Sequence, residues 1–262
     1  MATCKICSDP LTLTLEPDSD SETESQTQSS SPHIVPDDLL LPCACHFHWQ
    51  CLLDQAPTIA ISLTCPSCNT YLPSTPPGQS STNPFLPSSS SAQILTTYTN
   101  EGGTQQNLDI LPVLTEEAFL SSHPEARPAR AMHTLASEGD FNGILELMAD
   151  VDADQEIDMS LIQLMKWTDP LNGGKSALHV AVEAKQEEVF WLLLWLGSGV
   201  KTDFFPQEVL SVAEATGLPR RGTVPAEEDL RFVKDEQGRT AGDYCVEAGA
   251  QWQRFVEGGL FN

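Results

Sequence analysis

The chain has 262 residues and a net charge of −24, room for two small domains but too acidic for a nucleic-acid partner, since phosphate binding needs a basic surface. Its longest apolar run, Val189 to Leu196, falls far short of the roughly 20 residues a membrane helix needs. The N-terminal MATCKICSDP lacks the apolar stretch of a secretory signal, so no membrane partner and a cytoplasmic or nuclear location are expected, and clustered cysteines in such a compartment read as metal ligands rather than disulfides.

Residues 1–73 hold seven of the eight cysteines. Within that block, an acidic, Ser/Thr-rich run from Glu16 to Pro32 carries no large apolar side chain. It reads as a disordered insertion, at about 16–36, that cannot build a core. Residues 74–110 open on STPPGQSSTNPFLPSSSSA and read as a Pro/Ser/Thr-rich linker. From 111 to 262 the pattern is helical, with Thr115-Glu116-Glu117 expected to cap a short helix carrying Ala118, Phe119 and Leu120. No Lys or Arg lies between Lys5 and Arg127. Most of the acidity serves solubility, and an acidic face favours basic protein surfaces.

The chemistry-bearing residues of the first block are Cys4-x2-Cys7, Cys43-x-Cys45-x2-His48-x2-Cys51 and Cys65-x2-Cys68. Zinc takes four thiolate or imidazole ligands in a tetrahedron, so eight such residues suit two ions and leave no open position for a catalytic water. No His-Glu-x-x-His arrangement is present either. The zinc is therefore expected to be structural. His46 is a spare candidate beside Cys45, but using it would change the ligand spacing from 1-2-2 to 2-1-2, and Cys45 is preferred.

This series resembles the RING finger family over about residues 1–73, in a variant with Cys rather than His at the fourth ligand. The resemblance implies interleaved ligation, with one site from Cys4, Cys7, His48 and Cys51 and another from Cys43, Cys45, Cys65 and Cys68. It also implies a ubiquitin ligase that holds a charged ubiquitin-conjugating enzyme in a reactive pose, which is catalysis by positioning with no covalent intermediate and no catalytic residue on the zinc module itself. The conjugating enzyme would dock on Ile6 and Pro66, with Leu52 and Leu53 adding apolar surface. Two departures weaken the ligase reading: Gln55 stands where the family usually has Trp, and Asn69 stands where many active members carry a cation. The competing expectation is a non-catalytic zinc-binding adaptor.

Further on, Gly174 to Ser198 (GKSALHVAVEAKQEEVFWLLLWLGS) resembles an ankyrin repeat, with Ser176-Ala177-Leu178-His179 in place of the usual Thr-Pro-Leu-His. Arg130 to Met148 and Asp235 to Gly249 resemble degenerate copies, with His133 and Asp243 in register with His179 and Cys245 at the position of Ala181. The intervals, 46 residues from His133 to His179 and 64 from His179 to Asp243, exceed the roughly 33 of the repeat. Insertions are placed at about 150–170 and 200–233, the second with an extra helix over Pro206 to Leu218. The resemblance implies an all-α array that binds a protein substrate or partner. The fold expected overall is a small zinc-stabilised α+β module joined by a disordered linker to ankyrin-like helices.

Overall fold

A computed structural model describes residues 2–15, 33–74, 92–154, 159–218, 220 and 224–262. The chain divides into two compact units, Met1–Ser122 and His123–Asn262. The acidic run Glu16 to Pro32 and most of the Pro/Ser segment, 75–91, lie outside the described residues.

The N-terminal unit begins with two four-residue strands, β1 (Thr12–Leu15) and β2 (His33–Pro36), paired antiparallel from Thr12↔Pro36 to Leu15↔His33. A second sheet has the order β4-β3-β5-β6, formed by β3 (Asp38–Leu40), β4 (His46–Phe47), β5 (Leu95–Asn100) and β6 (Gly103–Asp109). The composition-based linker therefore ends much earlier than residue 110. Thr and Tyr in Leu95-Thr-Thr-Tyr-Thr-Asn favour extended backbone, and this strand pairs with β3 in the register Leu39↔Tyr98. A shift between Thr96 and Thr97 marks a bulge in the β5–β6 pairing.

Three helices complete the unit: α1 (Trp49–Leu53), α2 (Ala56–Ser62) and α3 (Leu111–Ser122). The third starts four residues before the expected Thr115 cap. Asp109 accepts a hydrogen bond from the Leu111 amide at 3.1 Å, and Pro112 follows at the helix start, where its missing N–H does no harm. Thr115 lies inside the helix, and its hydroxyl donates back to the Leu111 carbonyl. α3 packs on α2. Leu39, Phe47, Leu52, Ile59, Ile94 and Leu114 form a shared core with Cys4, Cys45 and Cys65 at its margin.

The C-terminal unit is built from helix pairs. α4 (Arg127–Glu138) is followed by α5 (Phe141–Ala153), with the short α6 (Leu161–Lys166) and a two-residue pairing of β7 (Thr168–Asp169) with β8 (Lys175–Ser176) leading into the next pair. That pair is α7 (Ala177–Glu183) with α8 (Glu187–Gly197). Then come α9 (Gln207–Thr216), in the segment read as an extra helix, and the pair α10 (Ala241–Glu247) with α11 (Ala250–Glu257). α4 packs on α7 and α7 on α10, while α5, α8 and α11 each pack on the first helix of their own pair.

Local chemistry explains the boundaries. Gly139 ends α4 at φ 80°, a left-handed position that favours glycine, and a Cβ there would meet Gln186 Oε1 at 2.5 Å. Asp140 then caps α5 by accepting from the Gly143 amide at 2.9 Å. α8 is apolar almost all round because it is buried among its neighbours; Phe190, Leu193 and Leu194 are inaccessible. Cys245 is also fully buried in this core, and burial pushes its thiol up to about 12, so it packs as an inert small side chain.

Candidate metal centres

Each Cys-x2-Cys pair folds into the same tight turn. In the first, the Cys4 amide donates to the Asp9 carbonyl at 3.0 Å and the Ser8 amide to the Cys4 carbonyl at 3.0 Å. In the second, the Cys65 amide donates to the Thr70 carbonyl at 2.9 Å and the Asn69 amide to the Cys65 carbonyl at 2.9 Å. Each turn closes on a left-handed residue, Ser8 at φ 69° and Asn69 at φ 58°. Asn tolerates that conformation better than most side chains, so the turn itself accounts for Asn69 where a cation was expected. The bridges Thr3↔Pro10 and Thr64↔Tyr71 flank the two turns equivalently.

The remaining four candidates come from the stretch between the turns. Cys43 and Cys45 occupy the β3–β4 connection, closed by the Leu41 amide on the Cys45 carbonyl, with Ala44 at φ 61° between them. His48 and Cys51 sit at the start of α1. The chain brings Cys4, Cys7, His48 and Cys51 together in one group and Cys43, Cys45, Cys65 and Cys68 in another. Within each group the ligand atoms lie within 4.8 Å of one another. Sulfurs around tetrahedral zinc would be about 3.8 Å apart, from a Zn–S bond of about 2.3 Å. His48 Nδ1 lies 3.3 Å from Cys7 Sγ and 3.7 Å from Cys51 Sγ, which is on that scale.

The surroundings of His48 fit the same role. Its Nε2 lies 2.8 Å from the Pro10 carbonyl, which can only accept, so Nε2 carries the proton and Nδ1 presents its lone pair to the thiols. His46 belongs to neither group; its Nδ1 is 2.8 Å from Asp38 Oδ1.

The electrostatics of the two groups also call for a cation. Burial pushes Cys43 and Cys51 up to about 12, and the neighbouring thiols add to the rise at Cys51 because their negative charges repel. Burial works to raise Cys4 as well, but hydrogen bonds from the backbone at Cys7, Ile6 and His48 outweigh it and hold that thiol at about 7. The Thr70 side chain, then its amide, holds Cys68 down at about 6. Four sulfur or nitrogen donors that cannot all ionise side by side are a donor set suited to a divalent soft metal, which would neutralise the thiolates and cross-link the distant turns.

Two residues that sequence reading missed hold the metal-facing helix in place. Asp37 is almost fully buried and accepts from the Trp49 amide at 3.2 Å, placing a carboxylate at the N-terminus of α1. The Tyr98 hydroxyl donates to the same carboxylate at 3.0 Å, and the Trp49 ring meets the Tyr98 ring at 4.9 Å. Trp49 thus packs against β5. Burial first, then the Asp37 charge, pushes the Tyr98 hydroxyl up to about 12. Asp37 follows a proline in an acidic pair, a signal too common in loops to single it out.

Among the expected docking residues, Ile6 is 40% exposed at the tip of the first turn and Pro66 is half-buried in the second. Leu53 is half-buried on α1, but Leu52, only 1% exposed, points into the core and offers nothing to a partner in this conformation. Gln55 is half-buried between α1 and α2.

Two histidines of the C-terminal unit, His133 and His179, hold backbone. The Ser176 amide donates to His179 Nδ1 at 3.1 Å, so Nε2 bears the proton that reaches the Arg239 carbonyl, also at 3.1 Å. Asp243 takes the same third helical position in α10, accepting from the Thr240 amide at 2.7 Å. His133 Nε2 lies 3.3 Å from the Trp167 carbonyl. Among the described residues no helix is long and apolar enough to cross a membrane. No family model matches this chain, and neither does any curated protein or solved structure.

Proposed function

We propose that the N-terminal unit binds two structural zinc ions in an interleaved, RING-like arrangement and acts as a ubiquitin ligase module. The observation that carries this reading is the pairing of ligand groups: the first and third sequence clusters are divided between two sites, each completed by half of the central cluster. Exposed Ile6 and accessible Pro66, on equivalent turns, support docking of a ubiquitin-conjugating enzyme. Three helix pairs whose first helices pack in the order α4, α7, α10 support an ankyrin-like array. His133 and His179 each reach a carbonyl just ahead of the following pair, which suits repeats stacking by mutual backbone contacts. That array would recruit a protein substrate.

Gln55, uncharged Asn69 and buried Leu52 favour a second reading, a zinc-stabilised adaptor that binds proteins without promoting transfer. A reconstituted ubiquitination assay with the zinc-loaded chain and a panel of conjugating enzymes separates the two. Free ubiquitin-chain formation is the readout, because all lysines except Lys5 lie beyond residue 165 and self-modification would under-report activity. Chain formation lost on Ile6→Ala is the expected result. No product with any enzyme of the panel, zinc content intact, would leave the adaptor.

A further inference from the structure

The C-terminal unit has an open groove of about 570 Å³ along α8 and α9. Its floor is Trp191, Leu192 and Trp195 of α8, and its far wall is Val209, Val212 and Ala213 of α9, with Phe141 of α5 at one end. The spacings i, i+1, i+4 on α8 and i, i+3, i+4 on α9 turn an apolar stripe of each helix toward the same space. Val212 is 43% exposed there. The groove lies on the second helix of a pair and on the inserted helix, away from the first helices that stack in series.

The described rim is acidic. Among the described residues that line the groove, the charged ones are Glu187, Glu188 and Glu208. Glu187 is paired with Arg254 at 2.8 Å. Among the described residues no ion pair holds Glu188 or Glu208. Arg220 lies over the rings of Trp195 and Phe205 and donates to the Val200 carbonyl, which leaves one cation beside the floor while the carboxylates stand on the lip. Trp195 Nε1 is buried with no hydrogen-bond partner among the described residues. A trough with two apolar helical walls and unpaired carboxylates on its lip matches the way amphipathic helices are bound, with apolar anchors below and charges along the edge.

We propose that this groove docks a basic amphipathic helix of a partner protein, its apolar face on Val209 and Val212 of α9 and its lysines or arginines facing Glu188 and Glu208. The proposal concerns the C-terminal unit alone and stands whether or not the zinc module is a ligase. It is tested by titrating the full chain with two synthetic helical peptides of one amphipathic pattern, leucine with lysine or leucine with glutamate, followed by tryptophan fluorescence. Saturable binding of the lysine peptide is expected, weakened roughly tenfold or more by Val212→Asp and by the pair Glu188→Lys/Glu208→Lys. The paired variant should in turn favour the glutamate peptide. Charge reversal at Asp150 and Asp152, exposed on α5, should leave affinity within about twofold. Absence of saturable binding, an equal loss from the Asp150/Asp152 reversal, or indifference to Val212→Asp would each overturn the proposal. Sedimentation showing a dimer that Val212→Asp dissociates would assign the face to a second copy instead and overturn it too.

Discussion

The two units solve the same problem, excluding water from a small core, with different means. In the C-terminal unit aliphatic and aromatic side chains do it: Phe190 stands at 5.2 Å from Trp252 and 5.3 Å from Phe255, and Trp191 at 5.5 Å from Phe205, all within a continuous cluster. In the N-terminal unit the core is smaller and its margin is made of thiols. Below a certain core size, burial alone does not outweigh chain entropy, and a metal held by the two thiol groups would supply the difference. The contrast teaches that one chain can combine two sources of stability, one that a bound metal would supply and one set by packing.

Metal removal should separate them most widely. Structural zinc contributes about 10 kcal/mol or more to the folding of small domains near neutral pH. A chelator, or Cys43→Ser, should unfold the N-terminal unit and release the Trp49–Tyr98 contact. The backbone amides of α7 and α8 should keep their hydrogen-exchange protection. Metal analysis of the intact chain should give two zinc ions; one or none would refute the paired-site arrangement. Loss of protection in α7 and α8 on chelation would erase the contrast between the units.

How far the sequence disclosed this division depended on the kind of signal. Candidate metal ligands are legible because their chemistry is rare and their spacing is short-range: the eight residues found together are those the spacing singled out, with Cys45 and not His46 among them. Strands β5 and β6 were hidden, because Thr, Gln and Asn in a polar edge carry the same composition as a loop, and only pairing with β3 and the Tyr98–Asp37 contact fixes them. The start of α3 was misplaced because Thr115-Glu116-Glu117 has the look of a cap, while Asp109 and Pro112 provide the real one. Leu52 was assigned to the surface because a five-residue helix has too few positions for periodicity to tell its faces apart. The groove was invisible, since Trp191, Leu192 and Trp195 are buried in the core of the unit and nothing in the sequence marks that they also line a space beside α9.

Acid should sharpen the comparison within the C-terminal unit. Burial holds His133 neutral down to about 4, and its Nδ1 is buried with no hydrogen-bond partner among the described residues. Unfolded histidine titrates near 6.5. Between these values the unfolded chain binds more protons than the folded one, so stability falls as pH drops from about 6.5 to 4, by up to about 3 kcal/mol. Burial likewise lowers His179, adding to the same window. Asp229, held low by the Arg231 guanidinium against the opposing effect of burial, acts only below the ordinary carboxylate range, so a further loss belongs to more acid solution. Denaturant titrations across pH, read from the protection of α4, should show the first loss, and His133→Gln should flatten it. An unchanged slope in that variant would remove His133 as its source.

The smallest effect tests whether the C-terminal unit behaves as one body. Asp140→Ala removes the side-chain acceptor that satisfies the Gly143 amide and should cost about 1 kcal/mol. α5 packs on both α4 and α8, and in a stacked array nearest-neighbour contacts couple each pair to the next. The loss should therefore appear as a lower denaturation midpoint shared by α4, α7 and α10. If α5 opened by itself, its own amides would lose protection while that midpoint stayed fixed. Phe141 and Asn142 follow the cap directly and line the groove, so local opening would also weaken peptide binding with no change in global stability. Measuring midpoint and affinity on this one variant thus distinguishes a groove built on a rigid array from one whose wall moves separately.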